Sequence, residues 1–417
     1  MLRIFRNLGW LLGSRAANAG FSLAYLGLAT RSLGLADFGR FSLIVVLAQT
    51  VCGIASFQTW QAVVRWGAIP GEKSATAGFA LALDLASIAA GLMFAGLACW
   101  SLDWWLPDLA TLQTVAFAQC AAALLAIRST PTGLLRLDDR YDLAALAEAS
   151  LPATRAVGAG VASLSGSGIA GFCAAWAVAD LVCAASHWAL ARGRTAVALP
   201  DMSLRALPAR HPGIWRFVWA TNLSRTLAVT ARQAMLLLVG ALAGPAVAGG
   251  YRVAMQLGQA MVQLGEALSR AAYPEFVRQH ADARALALRM TWLAAGAGTI
   301  AVLIAWFCAR PAIVLLAGES FAFVAEALLL LAVAGAFELL SAGWEALLVS
   351  RKRAVVAFAV RAAPLLVAFA ALPIAASRGV ESIAAVVAAA SAITACGFGY
   401  LALARPDIPP SGASLIR

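Results

Sequence analysis

The residues of this chain best suited to binding chemistry lie in the middle of an apolar stretch. Residues 8–34 are long and apolar enough to cross a bilayer, which takes about 20 helical residues, yet they contain Arg15. Asn18, Ser22 and Tyr25 follow at offsets that place all four polar side chains on one helical face. A guanidinium is always charged and binds phosphate in a planar, bidentate way. This face is therefore predicted to bind an anionic ligand.

A second copy of the pattern lies in the second half of the chain. The aligned residues are Ser14-Arg15 with Ser224-Arg225, Gly34 with Gly244, Gly39 with Gly249 and Gln49 with Gln259. Arg232 shares the face of Arg225, Asn222 lies one turn before Arg225, and Gln233, which follows Arg232, is a further candidate binding residue. An arginine within the membrane that is repeated in two halves is typical of a transporter with an anionic cargo.

The composition predicts a polytopic membrane protein. Hydrophobic residues make up 62% of the 417 residues, charged residues only 12%, and the mean hydropathy is +0.83. A soluble domain would carry about 25% charged residues. The net charge of +11 is attributed to cytoplasmic loops rather than to nucleic-acid binding.

Twelve membrane spans can be placed from the pattern of apolar segments. They cover about 8–30, 41–64, 78–100, 112–130, 143–164, 168–190, 214–242, 246–268, 287–309, 325–349, 354–376 and 380–404. Most of the 31 lysines and arginines fall in the segments that are cytoplasmic if the N-terminus is inside, so both termini are predicted to be cytoplasmic. The predicted fold is all-α, with two parallel-repeat bundles of six helices around a central cavity.

The longest polar segment between predicted spans, 191–213, divides the chain into two domains. An N-terminal bundle covers 1–190, a basic cytoplasmic loop covers 191–213, a C-terminal bundle covers 214–405, and 406–417 is predicted to be a disordered tail.

Further charged residues within the spans extend the candidate site. A central arginine costs about 2.5–3.5 kcal/mol in a bilayer, so Arg155 and Arg361 are also predicted to face a polar cavity. The alternative is that each arginine pairs with a membrane carboxylate and braces its bundle. The acids available within spans are Asp84, Glu148, Asp180, Glu266, Glu326, Glu338 and Glu345.

Two of these acids are candidates for ion coupling. Glu266 and Glu338 lie well inside spans and could bind H⁺ or Na⁺, although a salt bridge or a neutral carboxyl is the competing interpretation. The seven cysteines fall in apolar segments, and none of the three histidines has a recognisable metal-ligand partner in the sequence. The sequence therefore predicts neither a metal site nor a cofactor.

Three segments resemble the bacterial polysaccharide and O-antigen flippases, a branch of the multidrug, oligosaccharidyl-lipid and polysaccharide exporter superfamily. They are ATRSLGLADFGRFSLIVVLAQTV, then GPAVAGGYRVAMQLGQAM followed by AAYPEF, and LLAGESFAFVAEALLLLA. The resemblance implies alternating access across a cationic cavity, with Arg15 and Arg225 at the positions of the family's cavity residues. It implies an inner-membrane flippase, not an enzyme, that moves undecaprenyl-diphosphate-linked oligosaccharide to the periplasmic leaflet.

The resemblance further implies a place in O-antigen, lipopolysaccharide, capsule or exopolysaccharide assembly, with a glycan polymerase and a chain-length regulator as candidate partners. Two other functions compete with this interpretation. A drug or cation antiporter of the same superfamily would favour an acidic, aromatic cavity, whereas the repeated central charge here is arginine. A membrane glycan polymerase or ligase usually presents a large periplasmic loop, and all outer loops predicted here are short.

Overall fold

Helices make up every regular element that the structure describes. The computed structural model describes residues 2–195, 199–278, 283–351 and 353–403, and it gives their side chains except at 2–19, 199, 224–225, 227–229, 231–232, 259–278, 283–286, 350, 354 and 403. The predicted tail, 406–417, lies outside the described residues. The all-α membrane fold predicted from composition is confirmed within the described ranges.

Fourteen α-helices occur in the described ranges. They are α1 Leu2–Ala55, α2 Thr59–Gly67, α3 Lys73–Trp100, α4 Leu102–Trp105, α5 Gln113–Leu125, α6 Ser129–Leu137, α7 Tyr141–Ser165, α8 Gly168–Ala191, α9 Ala206–Arg210, α10 Ile214–Arg278, α11 Ala283–Ala317, α12 Ala325–Ser350, α13 Ala354–Ala376 and α14 Val380–Leu403. Short 3₁₀ segments at Pro107–Leu112, Leu199–Asp201 and Glu319–Val324 connect some of them.

Two of these helices contain a glycine break and therefore account for two spans each. α1 has 54 residues, about 80 Å of helix, which far exceeds an apolar bilayer core of about 30 Å. Gly34 interrupts α1 with φ 72° and Gly244 interrupts α10 with φ 82°, a backbone region that favours glycine. These are the glycines that the sequence repeat aligns with each other.

The predicted number of spans agrees with the helices. Nine stretches of the described chain are long and apolar enough to cross a membrane, and two of them contain the breaks at Gly34 and Gly244. Counting the segments on either side of each break separately, and adding α7, gives twelve spans in the described ranges.

Two predicted spans are interrupted where the sequence gives a continuous apolar pattern. The second span breaks at 56–58 before α2, and the fourth breaks at 126–128 before α6. Pro131 favours the break at 126–128, because proline fits best in the first turn of a helix and α6 starts at Ser129.

A buried carboxylate lies at the start of both restarted helices. Thr59 Oγ1 donates to Asp84 Oδ1 at 2.9 Å, and Thr130 Oγ1 donates to Asp84 Oδ2 at 2.6 Å. The backbone N–H of Trp60 donates to Ser129 Oγ at 3.0 Å, so α2 and α6 are also joined to each other. Asp84, on α3, therefore holds the two half-helices together at their N-terminal ends, where helix dipoles favour a negative charge.

The chain divides into two compact units. The first unit consists of residues 1–249 and 316–318, and the second consists of residues 250–315 and 319–417. The first unit includes the seventh span, which the sequence assigned to the C-terminal bundle. Three contacts attach this span to α1 and the loop after it. Thr226 Oγ1 donates to the Gly53 carbonyl at 3.1 Å, the rings of Phe57 and Trp219 lie 5.0 Å apart, and Gly240 packs against Leu43.

A close backbone contact between repeated glycines lies in the same unit. A Cβ at Gly39 would lie 1.8 Å from the Pro245 carbonyl oxygen, and a Cβ at Gly249 would lie 2.9 Å from Gly39 Cα. The backbones at 39 and 249 can approach this closely only because both positions are glycine.

Charged residues at the ends of α3, α6 and α8 form a second brace of the first unit. Asp138 accepts from Lys73 Nζ at 2.7 Å and from Arg194 Nη1 at 3.1 Å. Partial burial opposes ionisation of Asp138, but the hydrogen bonds from Lys73 and Arg194 outweigh it and lower the pKa of this carboxyl below its ordinary value. Asp138 is therefore fixed as an ion-pair partner of two cations.

Candidate functional site

The predicted site residues fall into two groups. The side chains of Arg15, Asn18, Arg225, Arg232 and Glu266 lie outside the described residues, and only their helical backbone in α1 and α10 is described. The side chains of Tyr25, Arg155, Asn222, Gln233, Glu338 and Arg361 are described. The geometry of the second group is given below for each unit separately.

Arg155 projects from the middle of α7 onto α8. Its Nη2 donates to Asp180 Oδ1 at 3.2 Å, and the side chains are only 14% and 9% exposed. The guanidinium carbon also lies 5.4 Å from the centre of the Trp176 ring. The charge of Arg155 is thus balanced by Asp180, and its Nε donor is buried without a partner among the described residues.

Trp176 brings a second predicted residue to the same place. The Tyr25 ring packs edge-on against Trp176 with 4.8 Å between ring centres, and Phe41 packs on Trp176 at 4.9 Å. Tyr25 and Arg155 therefore contact one indole ring from α1 and α7. Sequence reasoning missed Trp176 because a tryptophan in an apolar span carries no signal beyond packing.

Two amide side chains of α10 have acceptors that nothing in the described chain satisfies. Asn222 is 6% exposed and its Oδ1 has no hydrogen-bond donor among the described residues. Gln233 Oε1 is likewise buried and lacks a donor within the described ranges. Most buried polar atoms in proteins are hydrogen-bonded, so these two oxygens can accept from a ligand hydroxyl or from water.

In the second unit, Arg361 is bound by two carboxylates. Its Nη1 lies 2.9 Å from Glu338 Oε2 and its Nη2 lies 2.7 Å from Glu345 Oε2. Ser391 Oγ donates to the other oxygen of Glu338 at 3.3 Å. The described cluster thus joins α12, α13 and α14 and contains two acids for one arginine. With both acids ionised, it carries one uncompensated negative charge.

One grouping of side chains was not expected from the sequence. His187 of α8 lies beside Cys183 of the same helix and Glu148 of α7, with the ligand atoms of all three within 4.8 Å of one another. The i, i+4 spacing of Cys183 and His187 was the available signal, since it places both on one helical face.

Long apolar helices with paired charges inside them define a multi-pass membrane protein, and comparisons with known proteins agree. A sequence model of the family described as "polysaccharide biosynthesis protein" matches residues 4–280. The inner membrane protein YghQ of Escherichia coli (strain K12) is 31% identical over 342 residues, which cover 76% of this chain and 93% of YghQ. The chain therefore belongs to the polysaccharide biosynthesis protein family.

Solved structures of related transporters share the fold. The lipid II flippase MurJ, in an inward closed conformation, matches with a TM-score of 0.71 and 12% identity, over 92% of this chain and 86% of that one. An inward-facing multidrug resistance MATE family transporter of the MOP superfamily matches with a TM-score of 0.61 and 16% identity, over 92% and 93%. The eukaryotic MATE transporter AtDTX14 matches with a TM-score of 0.60 and 14% identity, over 97% and 96%.

Proposed function

We propose that this protein translocates undecaprenyl-diphosphate-linked oligosaccharide from the cytoplasmic to the periplasmic leaflet by alternating access. The proposal places it in the bacterial inner membrane with both termini cytoplasmic, in the assembly of O-antigen, capsule or exopolysaccharide. The observation that carries it is Arg155, a cation held near the middle of a helix between a carboxylate and aromatic rings. Membership in the polysaccharide biosynthesis family supports the cargo class.

Different residues of the proposed site bind the different chemical groups of the cargo. Arg15, Arg225 and Arg232 bind the diphosphate. Asp180 balances the charge of Arg155, and Glu338 with Glu345 exceed that of Arg361, so these two arginines contribute guanidinium hydrogen bonds rather than net positive charge. Tyr25, Asn18, Asn222 and Gln233 bind sugar hydroxyls, which suits the unsatisfied acceptors of Asn222 and Gln233. The polyprenyl tail remains in lipid, so the protein needs to shield only the polar part of the cargo.

Ion coupling belongs to the same proposal. Glu338 and Glu345 carry one more charge than Arg361 balances, and a surplus charge inside a membrane favours uptake of H⁺ or Na⁺. Glu266 is the second acid proposed for this role. A glycan polymerase and a chain-length regulator are proposed as partners that receive the translocated oligosaccharide.

A flipping assay tests the proposal. Proteoliposomes containing a fluorescent polyprenyl-diphosphate oligosaccharide would be compared for the wild type, Arg225→Ala and Arg310→Ala. Loss of one charge-assisted contact to a diphosphate weakens binding by about 2 kcal/mol or more, roughly thirtyfold. Arg310, 71% exposed and paired with Glu319 at 3.4 Å, is the matched control and should retain flipping.

The contradicting results are equally specific. Full flipping by Arg225→Ala would remove the arginine from the cargo site. Transport of a cationic drug but not of the lipid would favour the antiporter, to which the acidic cluster around Arg361 and the fold shared with MATE transporters lend support.

A further inference from the structure

Three side chains of the first unit place nitrogen, sulfur and oxygen ligand atoms together between α7 and α8. His187 Nε2 lies 3.8 Å from Glu148 Oε2, and one ligand atom from each of Glu148, Cys183 and His187 lies within 4.8 Å of the other two. Cys183 and His187 are four residues apart on α8 and so share one face, while Glu148 reaches them from α7. This grouping is separate from Arg155 and plays no part in the proposed cargo site.

The hydrogen bond of the imidazole fixes which nitrogen faces the carboxylate without a proton. His187 Nδ1 lies 2.9 Å from the Cys183 carbonyl oxygen. A carbonyl only accepts, so Nδ1 carries the proton and, in the neutral ring, Nε2 presents its lone pair toward Glu148. The two electron-rich atoms repel each other unless a hydrogen-bond donor or a cation lies between them. A proton on Nε2, a bridging water or a metal ion each meets this need.

The distances suit a metal ion better than a direct hydrogen bond. The separation of 3.8 Å between Nε2 and Oε2 exceeds the limit of about 3.2 Å for a good N–H···O bond. Zinc binds nitrogen and oxygen at about 2.0–2.2 Å, so neighbouring nitrogen and oxygen ligands of a tetrahedral ion lie about 3.3–3.6 Å apart. The observed 3.8 Å is slightly longer, and a small rotation of the half-exposed Glu148 side chain closes the difference. A histidine that donates Nδ1–H to a backbone carbonyl is also the usual arrangement of a metal-bound imidazole.

The surroundings allow an ion to bind and provide charge balance. The His187 side chain is 2% exposed, whereas that of Glu148 is 58% exposed and leaves one side of the grouping open. The Cys183 thiol now donates to the Ala147 carbonyl at 3.5 Å, and Arg128 Nη1 lies 3.8 Å from its sulfur. Metal binding deprotonates the thiol, because the thiolate is the form that binds metal. The thiolate and the Glu148 carboxylate together neutralise a divalent ion.

We propose that Glu148, Cys183 and His187 form a binding site for a divalent metal ion of the zinc class, with three protein ligands and one open position. The mixed sulfur, nitrogen and oxygen set selects a borderline-soft ion over Mg²⁺ or Ca²⁺, which prefer oxygen alone. The bound ion clamps α7 to α8 in the first unit.

The test uses the purified full-length protein in detergent and titrates it with Co²⁺, whose bond to a thiolate gives a near-ultraviolet charge-transfer absorbance. We expect one ion per chain, displaced by Zn²⁺. Cys183→Ser should abolish the absorbance, and Glu148→Gln or His187→Gln should weaken binding by about tenfold or more. Cys173→Ser is the matched control, because Cys173 is a buried cysteine of the same helix outside the grouping and its loss should leave binding unchanged.

Several outcomes overturn the proposal. The absence of the charge-transfer absorbance in the wild type would mean that a proton or a bridging water, and not a metal ion, separates His187 from Glu148. An unchanged absorbance in Cys183→Ser would place the ion elsewhere. Glu148→Gln remains informative if the buried variants do not fold, because its half-exposed side chain can be replaced without opening a cavity. Unchanged affinity in a folded Glu148→Gln protein would also contradict the site.

Discussion

The ion pair between Arg155 and Asp180 joins α7 to α8, and the proposed function adds cargo binding by Arg155; a single substitution changes both. Burial of one unpaired charge is more costly than burial of the pair, so removing either partner destabilises the protein whatever its part in transport. The same holds for Arg361 between Glu338 and Glu345. Binding and bracing can be distinguished only when both partners are neutralised together.

We therefore predict different outcomes for the single and double variants of this pair. Asp180→Asn should lower the free energy of unfolding by about 3 kcal/mol, because it leaves Arg155 charged and unpaired. Arg155→Gln combined with Asp180→Asn should recover most of that loss, as measured by thermal unfolding in detergent. Flipping should stay impaired in the double variant if Arg155 contacts the cargo. A stable double variant that flips at the wild-type rate would make Arg155 a brace alone.

Among the helices, the two half-helices α2 and α6 depend on one carboxylate. Asp84 is 5% exposed and accepts the hydroxyl protons of Thr59 and Thr130, which start or nearly start those helices. Hydrogen bonds to a charged acceptor contribute about 1.5–3 kcal/mol each. Loss of the carboxylate charge should therefore loosen both half-helices together.

Hydrogen exchange measures this expectation directly. Asp84→Ala should raise the exchange rates of backbone amides in both α2 and α6, and leave α13 and α14 of the second unit unchanged. Asp108→Ala, an exposed acid in the 3₁₀ segment Pro107–Leu112, is the control and should change neither half-helix. Faster exchange in only one of α2 and α6 would show that Asp84 does not join them.

The sequence predicted the helices better than their interruptions. Apolar length alone locates a span, because each must cross the same bilayer, and the aligned Gly34 and Gly244 marked both helix breaks correctly. The break before α2 has no proline or glycine, so no local signal exists for it. The restart at Thr59 is recognisable only once folding brings Asp84 beside it.

The candidate site was only partly predictable, because its side-chain contacts also form only when the helices pack together. Arginine in an apolar span is conspicuous, and Arg155 and Arg361 do lie among polar partners. Which acid pairs with which arginine depends on helix packing, and seven acids were available. The grouping of Glu148 with Cys183 and His187 likewise requires α7 and α8 to pack against each other, although the spacing within α8 was visible.

For the whole transporter, charge balance determines which step the membrane potential drives. Moving the two charges of a diphosphate outward gains about 2.3 kcal/mol per charge for each 100 mV, inside negative. Arginines that neutralise the cargo transfer this gain to the return of the empty, positively charged carrier. Further driving force then has to come from an ion that binds a surplus acid, and Glu338 is the described candidate.

We predict that Glu338→Gln uncouples flipping from an ion gradient. In proteoliposomes, wild-type flipping should accelerate by about fivefold or more under an imposed H⁺ or Na⁺ gradient, the range expected for a coupling of 1–3 kcal/mol. Glu338→Gln balances Arg361 with Glu345 alone, so the gradient should have no effect while exchange without a gradient continues. Glu326→Gln, at the exposed start of α12, should keep the acceleration. An acceleration that survives in Glu338→Gln would exclude Glu338 as the coupling acid and leave Glu266 as the candidate.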